Sequence, residues 1–98
     1  MRKEDIIKEL ETRYVLSLKE FDKNMALSKS KREEAKKEQQ DWYYAETLNR
    51  ESQLAMERAT YMASVSIEFA EILAKIHNNT FDTEVKYLHD KYDLRREQ

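Results

Sequence analysis

A chain of 98 residues without a single glycine, proline or cysteine lacks almost every residue that makes a tight hairpin, a left-handed cap or a kink. An average soluble sequence of this length carries about seven glycines and about five prolines. Long helices with few connections are what remains, so the expected fold is all-α, over residues 1–98 as one helical domain. Core material is scarce, since hydrophobic residues make up 40% and charged residues 39% of the chain. The apolar share includes six tyrosines, whose hydroxyls need partners when buried. A thin apolar seam between long helices suits such a composition better than a globule.

Periodicity places the helices. Ile7, Leu10, Tyr14, Leu18, Phe21 and Met25 recur at spacings of three and four, which puts them on one stripe. Continued, that stripe meets Ser28, Arg32, Ala35 and Gln39, while residues 29–40 stay rich in helix formers with Lys29–Glu33 and Glu33–Lys37 pairs one turn apart. The first helix therefore runs from about residue 3 to about 38. A capping box at Ser30 and Glu33 is the competing turn.

A polar stripe of Glu46, Arg50, Gln53, Glu57, Thr60, Ser64, Glu68, Glu71 and Lys75 marks a second continuous helix over about 42–77, with Asp41 as its cap. Opposite lie Ser52, Ala55, Ala59, Ala63, Ser66 and Ala70, small enough to admit a neighbouring backbone. Past Tyr61 the apolar surface widens through Met62, Val65, Ile67, Phe69, Ile72, Leu73 and Ile76 and calls for cover on more than one side. Asn78-Asn79-Thr80 closes this helix, and a third follows over about 81–96 with a seam of Phe81, Val85, Leu88 and Tyr92.

A reversal near residue 40 makes an antiparallel, coiled-coil-like hairpin whose facing residues have numbers summing to about 80. Ile7 then meets Leu73, Phe21 meets Ala59, Met25 meets Ala55 and Ser28 meets Ser52. Large residues face small ones, as interdigitating helices require. The third helix belongs on the base of this hairpin, Phe81 near Ile76 and Leu88 near Phe69.

Chemistry-bearing motifs are sparse. Without glycine there is no phosphate-cradling loop. His77 and His89 fall in no metal-binding helical pattern; His77 reads as a helix-end residue favoured by the dipole, and His89 with Asp93 as a solvated polar face. Glu68 and Glu71 belong to the polar stripe. No cofactor is implied, and an enzyme is not expected. With no cysteine, no run of about 20 apolar residues and no secretion-like start at Met1-Arg2-Lys3-Glu4-Asp5-Ile6, the expected setting is cytoplasmic, with no membrane span.

Eighteen basic against twenty acidic residues give no field strong enough to select nucleic acid. The best basic stretch, Lys29, Lys31, Arg32, Lys36 and Lys37, is interleaved with Glu33, Glu34 and Glu38, and Arg95 and Arg96 lie at the far end. Aligned in a dimer, that stretch is the alternative, nucleic-acid-binding reading. Surplus apolar surface is the stronger signal. Leu16 and Leu27 point off the first seam, Tyr87 and Leu94 off the third, and Leu54 and Tyr61 fall near the edge of the polar stripe. Trp42, Tyr43 and Tyr44 add an aromatic cluster of the kind enriched at binding hot spots.

The expected function is a noncatalytic helical interaction module, a small regulator, inhibitor or scaffold with a protein partner and a tendency to homo-oligomerise. Its expected contacts are Trp42, Tyr43 and Tyr44, then Leu16, Leu27 and Tyr61. The weighting toward lysine, glutamate, asparagine and tyrosine resembles that of small proteins from AT-rich bacterial, phage or mobile-element genomes.

Overall fold

The computed structural model of the chain describes residues 2–38 and 40–94 and consists of three helices, α1 (Lys3–Lys37), α2 (Trp42–His77) and α3 (Phe81–Lys91). The two long helices pack against each other and α3 packs on the second. Two compact units result, Met1–Ser17 with Ser64–Gln98, and Leu18–Ala63.

In the Leu18–Ala63 unit the seam is narrow and its register is fixed by polar atoms. Ser28 and Ser52 are both buried. Their hydroxyl oxygens lie 2.9 Å apart, and Ser52 Oγ donates to the Ser28 carbonyl at 2.8 Å. Since the single Ser52 proton is committed there, Ser28 Oγ is the donor of the hydroxyl pair. Lys31 pairs with Glu51 at 3.0 Å and the Tyr44 hydroxyl with Glu34 at 3.1 Å. Rising numbers on α1 meet falling numbers on α2, so the helices are antiparallel with facing numbers summing to about 80. Ala55 and Ala59 are closed off completely beneath α1, as the small-residue ridge requires.

Two expectations shift here. Met25 is exposed and the buried positions are Leu18, Asn24, Ser28 and Ala35, because the seam passes through small polar residues rather than the next large apolar one. Asn24 is tolerated by donating its side-chain amide to the Glu20 carbonyl. Arg32 is exposed as well, while Lys31 is partly covered; Gln39 lies outside the described residues. Ser30 is mid-helix, so its capping box with Glu33 is unused.

In the other unit Tyr14 of α1, Ala70, Leu73 and Ala74 of α2, and Leu88 of α3 are buried. The polar stripe of α2 is exposed throughout its length. Ile67 and Ile72 are exposed too, so the widening apolar face is covered less completely than its composition requires.

The turns show how a glycine-free chain stops a helix. Asn78 takes φ 56°, and the Asn79 and Asn78 amides donate to the carbonyls of Ala74 and Lys75 at 2.8 and 3.2 Å, a complete left-handed cap with asparagine where glycine is usual. Thr80 then caps α3 by accepting from the Thr83 amide. At the far end Asp93 takes φ 52° and the Leu94 amide returns to the His89 carbonyl at 2.9 Å. That second cap ends α3 at Lys91, short of the expected residue 96, and leaves Leu94 partly covered beyond the helix. Arg95 and Arg96 lie outside the described residues.

Candidate functional site

The first turn of α2 is built by the polar residues before it. Glu38 accepts from the Gln40 and Asp41 amides at 3.3 and 3.2 Å, and Asp41 Oδ1 accepts from the Tyr44 amide at 3.0 Å. With the Tyr44 amide met by the Asp41 cap, this turn sets the backbone from which three consecutive aromatic residues project. Trp42 and Tyr43 are each 75% exposed. Tyr44 differs, because its hydroxyl bond to Glu34 braces the turn against α1 and raises the phenol above its ordinary pKa by stabilising the protonated form.

Further along the same unit, Glu20 and Asn24 of α1 and Leu54, Glu57, Arg58 and Tyr61 of α2 line an open groove of about 410 Å³. Tyr61 is 67% exposed at its rim, and Leu27 is exposed in the same unit. At about 100° per residue, Tyr43, Leu54 and Tyr61 fall within about 20° of one another on α2. Trp42 lies about 100° away on the same scale. Tyr61 stands about 28 Å beyond Trp42 at about 1.5 Å per residue. The aromatic turn is therefore continued along α2 by Tyr43, Leu54 and Tyr61, while Trp42 forms a separate corner. Leu16, exposed, belongs to the other unit.

The basic stretch does not gather on one face. Lys29, Arg32 and Lys36 share one side of α1 by spacing, and Lys37 lies off it. Lys31 turns toward α2, where its hydrogen bond to Glu51 raises its pKa.

The Met1–Ser17 and Ser64–Gln98 unit holds three polar clusters that sequence reasoning missed, all fastening α3. Glu84, wholly buried, accepts from His77 Nδ1 at 2.9 and 3.1 Å and from Asn79 Nδ2 at 3.2 Å. Glu11, 1% exposed, accepts through Oε1 from Lys91 Nζ at 2.8 Å and from the Tyr92 hydroxyl at 2.6 Å, while its buried Oε2 has no partner. The Glu11 bond holds the Lys91 ammonium above its ordinary range, and burial followed by that bond raises the Tyr92 phenol. Lys91 Nζ also sits 5.6 and 5.5 Å from the ring centres of Tyr87 and Tyr92.

In the third cluster His89 lies between the Tyr14 hydroxyl at 2.9 Å and the Leu94 carbonyl at 3.2 Å. A carbonyl only accepts, so Nδ1 carries a proton toward Leu94, and Nε2 is the ring nitrogen that meets the Tyr14 hydroxyl. His89 is thus not the solvated polar face its sequence suggested, while His77, the last residue of α2 as expected, also pairs with the buried Glu84. The available signal was a charge at a core period: Glu11 lies three residues before Tyr14, and Glu84 four before Leu88.

Among the described residues, no group of three or more histidine or acidic side chains is placed to hold a metal ion, and no helix is long and apolar enough to cross a membrane. Comparison with known proteins finds no family model, no curated protein and no solved structure that matches this chain.

Proposed function

We propose that the chain is a noncatalytic helical interaction module that binds another protein through the aromatic start of α2, and so blocks or scaffolds that partner inside the cell. The observation that carries this reading is the pair Trp42 and Tyr43, each three-quarters exposed on a turn rigidified by Asp41, Glu38 and the Tyr44–Glu34 bond. Large aromatic side chains have few rotatable bonds, so they lose little conformational freedom on binding for the apolar area they bring, which is why such residues anchor interfaces. Tyr43, Leu54 and Tyr61 on one face of α2 extend the contact in the manner of a helix laid into a partner's groove, with Arg58 and Glu57 beside them to set register.

The test is affinity capture from the native host with the wild-type chain and with a Trp42→Ala/Tyr43→Ala chain as parallel baits. The reading requires a protein retained by the first and lost by the second, with equal helicity of the two baits by circular dichroism. Equal retention by both baits would reject the aromatic turn as the contact, and loss of helicity in the variant would make these residues part of the fold.

A further inference from the structure

The contacts that hold α3 have the character of a ligand in a site. An eleven-residue helix is too short to persist in water alone, so it exists because of what it docks against. Its docking relies on one wholly buried apolar side chain, Leu88, with Val85 half-buried and Phe81 exposed. The remainder is polar and specific. The receiving surface offers an imidazole, His77, to the Glu84 carboxylate, which the side-chain amide of Asn79 in the tether also meets; a carboxylate, Glu11, to the Lys91 ammonium and the Tyr92 phenol; and a phenol, Tyr14, to the His89 ring. Each is a complement of charge or of donor and acceptor. The tether is three residues long, Asn78–Thr80, and turns on one left-handed asparagine.

We infer that α3 is an exchangeable internal ligand, and that the cleft formed by α1 around Glu11 and Tyr14 and by the end of α2 around Leu73 and His77 accepts the α3 of a second copy of this chain. The second copy is the occupant to which the cleft commits, because no other sequence is guaranteed to carry Glu84, Leu88, His89, Lys91 and Tyr92 at these spacings. If Asn78 returns to the right-handed region, the chain no longer folds back there, and α3 is delivered outward to a neighbour while the neighbour's α3 is received. In a lone molecule the short tether keeps the internal α3 at an effective concentration in roughly the millimolar range, so an external copy competes only when the internal one is weakened. This inference is independent of the surface around Trp42.

The experiment uses the full chain and a fluorescein-labelled peptide of residues 80–94, read by anisotropy. Binding to wild type should be weak. It should strengthen severalfold in Lys91→Ala, which loosens the internal helix by one ion pair, and at least tenfold in Leu88→Ala. A peptide carrying Glu84→Ala and Leu88→Ala should not bind, and Glu11→Ala added to the Leu88→Ala chain should remove binding by destroying the receiving site. Should Leu88→Ala lose its helicity, the comparison of Lys91→Ala with wild type decides. Equal affinity for all chains, or no binding to the loosened ones, overturns the inference.

Discussion

The Ser28–Ser52 contact makes a quantitative prediction because its two hydroxyls are not equivalent. Ser52 donates to a backbone carbonyl, and Ser28 donates to Ser52. Ser28→Ala leaves the Ser52 proton where it was and removes only one donor from an oxygen that has already given its hydrogen, so it should cost about 0.5 kcal/mol. Ser52→Ala strands a buried Ser28 hydroxyl, for which the loss is about 1 to 2 kcal/mol, toward the lower end to the extent that the hydroxyl can turn to a carbonyl of its own helix. Replacing both leaves two methyl-sized groups facing each other and no stranded donor, so the double variant should be less destabilised than Ser52→Ala alone. Urea denaturation followed by far-ultraviolet circular dichroism reads all four chains. For a chain of this size 1 kcal/mol corresponds to about 4 to 8 °C in Tm, which makes the order visible in a thermal scan as well. Costs that add, or a Ser28→Ala loss at least as large as that of Ser52→Ala, would refute the assigned direction of the bond.

Asp41→Ala removes the side-chain acceptor at the start of α2 and should cost about 1 kcal/mol, seen as a lower Tm with the aromatic emission unchanged. Asn78→Ala places a Cβ with no compensating polar group in a left-handed turn and should cost about 1 to 2 kcal/mol, whereas Asn78→Gly should be close to neutral. Lys91 and Tyr92 both have folded-state pKa values raised above their ordinary values. Their contribution is therefore complete below about pH 10 and is lost as pH rises through the folded values. Thermal scans between pH 8 and pH 11.5 should show wild type losing more stability than a Lys91→Met/Tyr92→Phe chain, and parallel losses would contradict that linkage.

Much of the fold was legible because helix period and capping are local. The α2 limits, the Asp41 cap, the asparagine stop and the Ser28–Ser52 register all follow from spacings of three and four and from the absence of glycine. What could not be read is whatever depends on the partner surface. Met25 looked like the next seam residue, but a buried Asn24 that satisfies itself on the Glu20 carbonyl lets the seam drift by one position. Glu11 and Glu84 are charged residues at core positions, and their burial is decided by Lys91, Tyr92 and His77 from elsewhere in the sequence. Periodicity extends the third helix past Lys91 because Asp93, which takes φ 52° as a good αL residue, is as silent in that pattern as any surface acid.

For the candidate surface, the sequence marked Trp42, Tyr43 and Tyr44 as one aromatic group. Side-chain direction divides them: Tyr44 is spent on Glu34, while Tyr43 aligns with Leu54 and Tyr61. The alignment follows from helical spacing, whereas the Tyr44–Glu34 bond depends on which way α2 faces α1, a tertiary fact with no local sequence signal.

The emission of Trp42, the single tryptophan of the chain, tests the central claim most directly. The folded protein at high dilution should emit at the wavelength of its urea-unfolded form and be quenched by acrylamide nearly as readily, with a blue shift appearing only when a partner or a second copy covers the ring. A blue-shifted, quencher-resistant tryptophan in the dilute folded chain would mean that the aromatic turn is packed within the molecule, and the proposed docking surface would not exist.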